Sequence, residues 1–326
     1  MIVIQKRKGL IAHKKTTNRG SGGMDLNEQL NMNLNGVPQF VSIRAEKAEA
    51  PLLVYLHGGP GDAALPLVKK YNKQLEQHFT VVIWEQRGAG KSYSPFDGAV
   101  TIEMFLQDLD VLVTDLLRRF KQRSLYLVGH SWGSILGLRF TQSHPERVRT
   151  YIGCGQVVNM KKSSRIAYDY ALAHADRKSL EKLKTIDCSY QSENWLNDLL
   201  FVTQQVVKHK GSLYGAKNYN RLILPFLFSK DYTIGDLIRR QKGSLQAIQS
   251  LWQEVMQTNF EAQTRFEAPV ILIEGRFDSH VSATLAKDYF DRIETEKRFY
   301  WFENSCHFPQ WSENEKFNQL MCDLLG

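Results

Sequence analysis

Leu127-Val128-Gly129-His130-Ser131-Trp132-Gly133 is the stretch on which the reading of the fold turns. It completes a short apolar run that begins at Leu125, and it opens onto Ser134-Ile135-Leu136-Gly137-Leu138, which reads as a helix. Gly-x-Ser-x-Gly between a strand and a helix is the setting in which a serine is carried on a sharp turn. Such a turn drives the serine backbone toward unfavourable dihedrals, and a side chain at Gly129 or Gly133 would crowd it. Ser131 then stands at the head of a helix, where unpaired N–H groups and the helix field favour negative charge. Taken alone, the pattern also fits a serine that merely caps a helix. Reading Ser131 as a nucleophile therefore depends on partners elsewhere in the chain.

The 326 residues suffice for one large α/β domain or a core with a substantial insert. Apolar content of 43% and charged content of 23% are those of an ordinary globular protein. Cys154, Cys188, Cys306 and Cys322 share no disulfide-like or metal-like spacing, which suits a reducing, cytoplasmic setting. No apolar run reaches the length of a membrane span, and 9–12 is too short for a secretory core. The net charge of +8 comes mostly from Lys6, Arg7, Lys8, Lys14, Lys15 and Arg19, in a stretch without acids. That basicity reads as a solvated extension. The body carries no basic motif, so nucleic acid is not an expected partner.

Taken in order, 16–36 is rich in Gly, Asn, Ser and Thr and reads as a leader, followed by strand-like alternation at 39–44. The run 52–56 is continuously apolar, as for a strand buried on both faces, and ends in His57-Gly58-Gly59-Pro60-Gly61. This tight loop can aim a backbone N–H at a ligand oxygen. The next buried run, 79–84, leads into Glu85-Gln86-Arg87-Gly88-Ala89-Gly90-Lys91-Ser92. Its Gly-Lys-Ser ending lacks the spacing of a phosphate-binding loop, since Glu85 stands where the first glycine belongs, and Arg87 reads as a brace. Thr101 caps a helix over 102–120, and strand–helix alternation from 52 to 153 implies a mostly parallel sheet.

The rhythm then changes. Residues 155–268 offer no buried strand and five helical candidates, at 162–174, 177–187, 192–209, 231–241 and 245–258. Strands return at 269–273 and 298–302, with helices near 281–291 and 313–325. The expected organisation is a basic polar extension at 1–30, an α/β core at 31–154 and 269–326, and a helical cap at 155–268.

A serine hydroxyl attacks only when a base takes its proton, and an imidazole base needs an acceptor to fix its tautomer. Both partners stand just beyond strands, Asp278 after 269–273 and His307 after 298–302. Parallel strands bring such loops together at their carboxyl ends. The order Ser131, Asp278, His307 is that of the α/β-hydrolase arrangement. The rival acid, Glu274, lies within the strand-like run.

The segments 57–61, 84–92, 129–134, Gly275-Arg276-Phe277-Asp278 and Ser305-Cys306-His307 together resemble the proline iminopeptidase-like branch of the α/β-hydrolases. The resemblance covers roughly 35–154 and 269–326. It implies an α/β-hydrolase fold with a mostly parallel sheet, flanking helices and a helical cap. It also implies Ser131 as the acylated nucleophile, with oxyanion donors at the backbone N–H of Gly58 or Gly59 and of Trp132. The expected activity is that of an aminopeptidase releasing N-terminal proline or another small residue, without metal or cofactor. Glu85 replaces the family's usual Asp, and Cys306 replaces the usual Gly before the histidine. Relatives bind the substrate's free amine with cap glutamates, and Glu193 and Glu254 are the candidates here. The alternatives are an esterase, lactonase or amidase acting on small non-peptide substrates, or an inactive binding protein. A carboxylate placed near the serine from the cap discriminates peptidase from esterase.

Overall fold

The computed structural model describes residues 19–20, 23–24, 26–47 and 49–325. The basic stretch 1–20 falls outside them except for its last two residues. Eight strands form one sheet: β1 (Leu26–Leu34), β2 (Val37–Ala45), β3 (Leu52–Leu56), β4 (Thr80–Trp84), β5 (Leu125–His130), β6 (Val148–Cys154), β7 (Val270–Gly275) and β8 (Lys297–Phe302). Their spatial order is β8-β7-β6-β5-β3-β4-β2-β1. From β3 to β8 all pairings are parallel, while β2 runs antiparallel to β4 and to β1.

The continuous apolar runs have the physical meaning expected of a sheet covered on both faces. Leu52, Val54 and Leu56 of β3 join one core cluster, together with Phe105, Leu109, Leu112 and Leu116 of α2 (Ile102–Phe120). Leu53 and Tyr55 point the other way, into a cluster with Leu65, Leu67 and Val68 of α1 (Leu65–Tyr71). Thr101 caps α2 through its hydroxyl, and Lys121 ends it in the left-handed conformation at φ 54°. Helix α3 (Trp132–Ser143) leaves β5 directly through the Ser131 turn.

Between β6 and β7 lies the cap: α4 (Met160–His174), α5 (Arg177–Leu183), α6 (Trp195–Lys208), α7 (Asn220–Leu227) and α8 (Ile234–Val255). Helix α9 (Ala283–Arg292) separates β7 from β8, and α10 (Pro309–Ser312) and α11 (Asn314–Asp323) close the chain.

Three expectations are corrected. Leu26–Leu34 is a paired strand rather than leader, with Leu30, Met32 and Leu34 buried in alternation. Its intervening Asn and Gln residues hide the apolar face in composition. The separate helices at 231–241 and 245–258 are one helix, α8. Gly243 does not break it, because that glycine serves a close approach: a Cβ there would stand 2.3 Å from the Gly88 carbonyl oxygen. Helix α7 went unread because Pro225 sits inside it.

Candidate active site

Ser131 sits at φ 53° and ψ −119°, a strained conformation for a residue with a side chain. Its surroundings over-determine it. The Ser131 N–H donates to the Cys154 carbonyl at 3.1 Å. A Cβ on Gly129 would lie 2.6 Å from the Gly133 oxygen, and one on Gly133 would lie 2.2 Å from the Leu56 oxygen. Both motif glycines are therefore required by contact between β3, β5 and α3.

The expected acid and base meet each other, and His307 lines the same cavity as Ser131, although no hydrogen bond joins the serine hydroxyl to the imidazole among the described residues. His307 Nδ1 donates to Asp278 Oδ2 at 2.8 Å, which leaves Nε2 as the ring nitrogen free to act as a base. Asp278 Oδ1 accepts the backbone N–H groups of His280 at 2.8 Å and Val281 at 3.0 Å. Burial disfavours charge on both partners. It lowers the His307 pKa and raises that of Asp278, while the two N–H bonds to the carboxylate oppose the latter shift. Glu274, the rival acid, is buried within β7 and accepts the Gln156 N–H at 2.8 Å, apart from the imidazole.

Two other buried imidazoles flank the serine turn and the glycine-rich loop. His57 Nδ1 donates to the Gly58 carbonyl at 2.7 Å, and its Nε2 accepts the Gln86 N–H at 3.1 Å; burial lowers its pKa to about 4. His130 Nε2 donates to the His307 carbonyl at 2.9 Å, and burial lowers its pKa to about 3. Neither ring has the geometry of the general base.

Gly58 passes directly over the serine turn, since a Cβ on it would lie 3.3 Å from Ser131 Cβ and 3.0 Å from His130 Nδ1. Trp132 is the first residue of α3, so its N–H has no partner within the helix. Gln86 ties the two donor segments together: its Nε2 donates to the His57 carbonyl at 3.2 Å, and its Oε1 accepts the Trp132 indole N–H at 2.7 Å. An arrangement of this kind can hold a tetrahedral oxyanion beside an activated hydroxyl.

A cavity of about 330 Å³ opens at Ser131 and His307, beneath α7 and α8. Its walls are mostly apolar, with Leu67, Leu222, Ile223, Ile248 and Trp311. Glu193 and Glu254, expected as amine ligands, are not among its lining residues. Glu193 is exposed, and Glu254 accepts the Ile102 N–H at 2.9 Å, where it compensates the N-terminus of α2. The carboxylate that reaches the cavity is Asp62, directly after the His-Gly-Gly-Pro-Gly loop, and it pairs with Arg240 of α8. Sequence reasoning missed both. The signal for Asp62 was its adjacency to the loop; Arg240 is 178 residues away and carried no local mark.

Among the described residues no cluster of His, Cys, Asp and Glu has the form of a metal site. No helix among them is long and apolar enough to cross a membrane.

A family model described as the alpha/beta hydrolase fold matches residues 51–314. The chain is 31% identical to the probable aminopeptidase YbaC of Bacillus subtilis over 293 residues, covering 88% of this chain and 92% of that protein. In structure it is similar to VinJ, with a TM-score of 0.69, 18% identity, and coverage of 92% of this chain and 98% of that one. It is also similar to the proline iminopeptidase of Mycobacterium smegmatis, with a TM-score of 0.66, 16% identity, and coverage of 92% and 97%. These structural likenesses bear on the fold. With the matched family span, the sheet order and the strand–serine–helix turn in agreement, the chain belongs to the α/β-hydrolase fold family and is distantly related to its proline iminopeptidase branch.

Proposed function

We propose that this protein is a serine aminopeptidase that releases the N-terminal residue, proline or another small one, from short peptides. In this reading His307 takes the proton of Ser131 as the hydroxyl attacks the scissile carbonyl. Asp278 holds the imidazole tautomer and stabilises the imidazolium. Backbone N–H groups of Gly58 or Gly59 and of Trp132 stabilise the oxyanion. The amine leaves with the proton from His307, and water hydrolyses the acyl-enzyme.

The observation that carries the peptidase reading is the position of Asp62, a carboxylate lining the same cavity as Ser131, where a substrate's charged α-amine needs a partner. The resemblance to a probable aminopeptidase along nearly the whole chain supports it. The apolar remainder of the cavity favours a second reading, an esterase, lactonase or amidase acting on uncharged substrates.

The test compares wild type, Ser131→Ala and Asp62→Asn on proline 4-nitroanilide, its N-acetyl derivative and 4-nitrophenyl acetate. Ser131→Ala should lower turnover by several orders of magnitude, roughly 10⁴-fold or more. A free-amine preference that Asp62→Asn abolishes is expected for the aminopeptidase. Ester turnover with no such preference would establish the second reading in its place.

A further inference from the structure

Among the described residues that line the cavity, Asp62 is the one carboxylate and Arg240 the one guanidinium, and both have unused capacity. Asp62 Oδ1 accepts the Ala63 N–H at 2.8 Å and Arg240 Nε at 2.5 Å, while no hydrogen bond reaches Oδ2 among the described residues. Arg240 uses Nε alone; its Nη1 and Nη2 make no hydrogen bond among the described residues. The guanidinium is held in place. Its carbon lies 4.2 Å from the centroid of the buried Phe226 ring. Its helix is pressed onto the loop bearing Asp62, where a Cβ on Gly61 would lie 2.4 Å from the Gly243 oxygen. The remaining titratable groups that line the cavity are Tyr219, whose pKa burial raises, and His130, His280 and His307, whose pKa values burial lowers. The lining thus sets an open donor fork beside an open acceptor.

We propose that the Nη edge of Arg240 is a carboxylate subsite next to Asp62, and that the preferred substrates are zwitterions, dipeptides above all. The proposal rests on the aminopeptidase reading and names its substrate class. A guanidinium fork matches a carboxylate in two parallel hydrogen bonds, and a guanidinium fixed by stacking loses little freedom on making them. A zwitterion meets each wall charge with an opposite one. A ligand bearing only an amine or only a carboxylate leaves one member of the pair uncompensated as the cavity is desolvated. Size points the same way. At about 330 Å³ the cavity is at the small end of ligand sites, which run from roughly 300 to 1,000 Å³. A two-residue peptide places its free carboxylate one residue beyond the scissile bond, within such a volume.

The experiment measures kcat and KM for prolyl-alanine and for prolyl-alaninamide with wild type, Arg240→Gln and Arg240→Lys. The ratio of the two substrates within one preparation cancels any loss of folded enzyme. Wild type should favour the free carboxylate by about tenfold or more in kcat/KM, as expected for hydrogen bonds to a charged group. Arg240→Gln should bring the ratio close to one through KM, and Arg240→Lys should recover part of it. Equal cleavage of the two peptides by wild type overturns the subsite and leaves the aminopeptidase standing. If neither peptide is cleaved, 4-nitrophenyl hydrogen glutarate against 4-nitrophenyl butyrate decides. A carboxylate preference lost in Arg240→Gln upholds the subsite while the aminopeptidase reading falls, and equal turnover overturns the subsite as well.

Discussion

Asp278→Asn isolates the contribution of one charge to the site. The asparagine can still accept the His280 and Val281 N–H groups, but it brings an NH₂ or a neutral oxygen to His307 Nδ1. His307 is active as a base only when neutral, so kcat/KM falls as pH drops through its pKa. Burial pulls that pKa down, and a carboxylate hydrogen-bonded to Nδ1 pulls it up whenever it is ionised. Removing the carboxylate leaves burial unopposed, so the acid limb of the pH profile should move to lower pH. The maximum should fall by roughly 10³–10⁴-fold through loss of the tautomer. An acid limb that stays in place would assign it to another group. The placement of Ser131, Asp278 and His307 was legible because each stands shortly beyond a strand-like run, and the sheet gathers such positions at one edge. Asp62 and Arg240 were not legible, because their meaning lies in a contact between a core loop and a cap helix. Glu193 and Glu254 were chosen by residue type within the cap, and type carries no information about which face of a helix a carboxylate occupies.

Between elements, the cap meets the core by close backbone approach, and the buried carboxylate of Glu85 is part of that junction. Glu85, at the end of β4, accepts the Lys91 N–H at 2.6 Å and the hydroxyl of Tyr232, which lies just ahead of α8. Burial raises its pKa from 4.5 to about 7, against the opposing effect of those hydrogen bonds. In that window the folded protein holds a proton that the unfolded chain has released. The stability Glu85 contributes is therefore full below pH 4.5 and is lost as pH rises toward 7. Glu85→Gln cannot ionise, so its stability relative to wild type should rise by about 3 kcal/mol between pH 4.5 and 8. Urea unfolding midpoints at a series of pH values measure this, and a constant difference would refute the account. The same junction explains the merged helix. Periodicity sees Gly243 as a break, whereas packing needs a residue without Cβ where α8 crosses the Gly88 carbonyl. Propensity is a statement about an isolated segment, and here the tertiary contact overrides it.

For the whole molecule, the antiparallel hairpin β1–β2 has to be fastened to a sheet that is otherwise parallel. Main-chain pairing of β2 with β4 does part of this, and Asp108 of α2 adds a buried polar anchor. Its fully buried carboxylate accepts Asn35 Nδ2 at 3.0 Å, Gln39 Nε2 at 2.7 Å, and Nε and Nη2 of Arg87, each at 2.8 Å. Gln39 in turn accepts the Trp84 indole N–H at 2.9 Å. One side chain thus gathers the hairpin turn, β2, α2 and the loop after β4. Arg87 was legible as a brace, whereas Asp108 was hidden in the polar stripe of an amphipathic helix and β1 in an Asn-rich strand. Asp108→Ala strands the Arg87 guanidinium and the Gln39 amide in the interior, a loss expected to cost about 3–5 kcal/mol. For a chain of this size that lowers the thermal midpoint by roughly 5 °C, readable by calorimetry. Replacing both partners separates a lost pair from a lost fold. Arg87→Leu combined with Asp108→Leu removes the same hydrogen bonds but leaves no uncompensated charge, so the double variant should be more stable than Asp108→Ala. If it is instead the less stable of the two, the stranded guanidinium is not what makes Asp108→Ala costly, and the account in terms of an uncompensated buried charge fails.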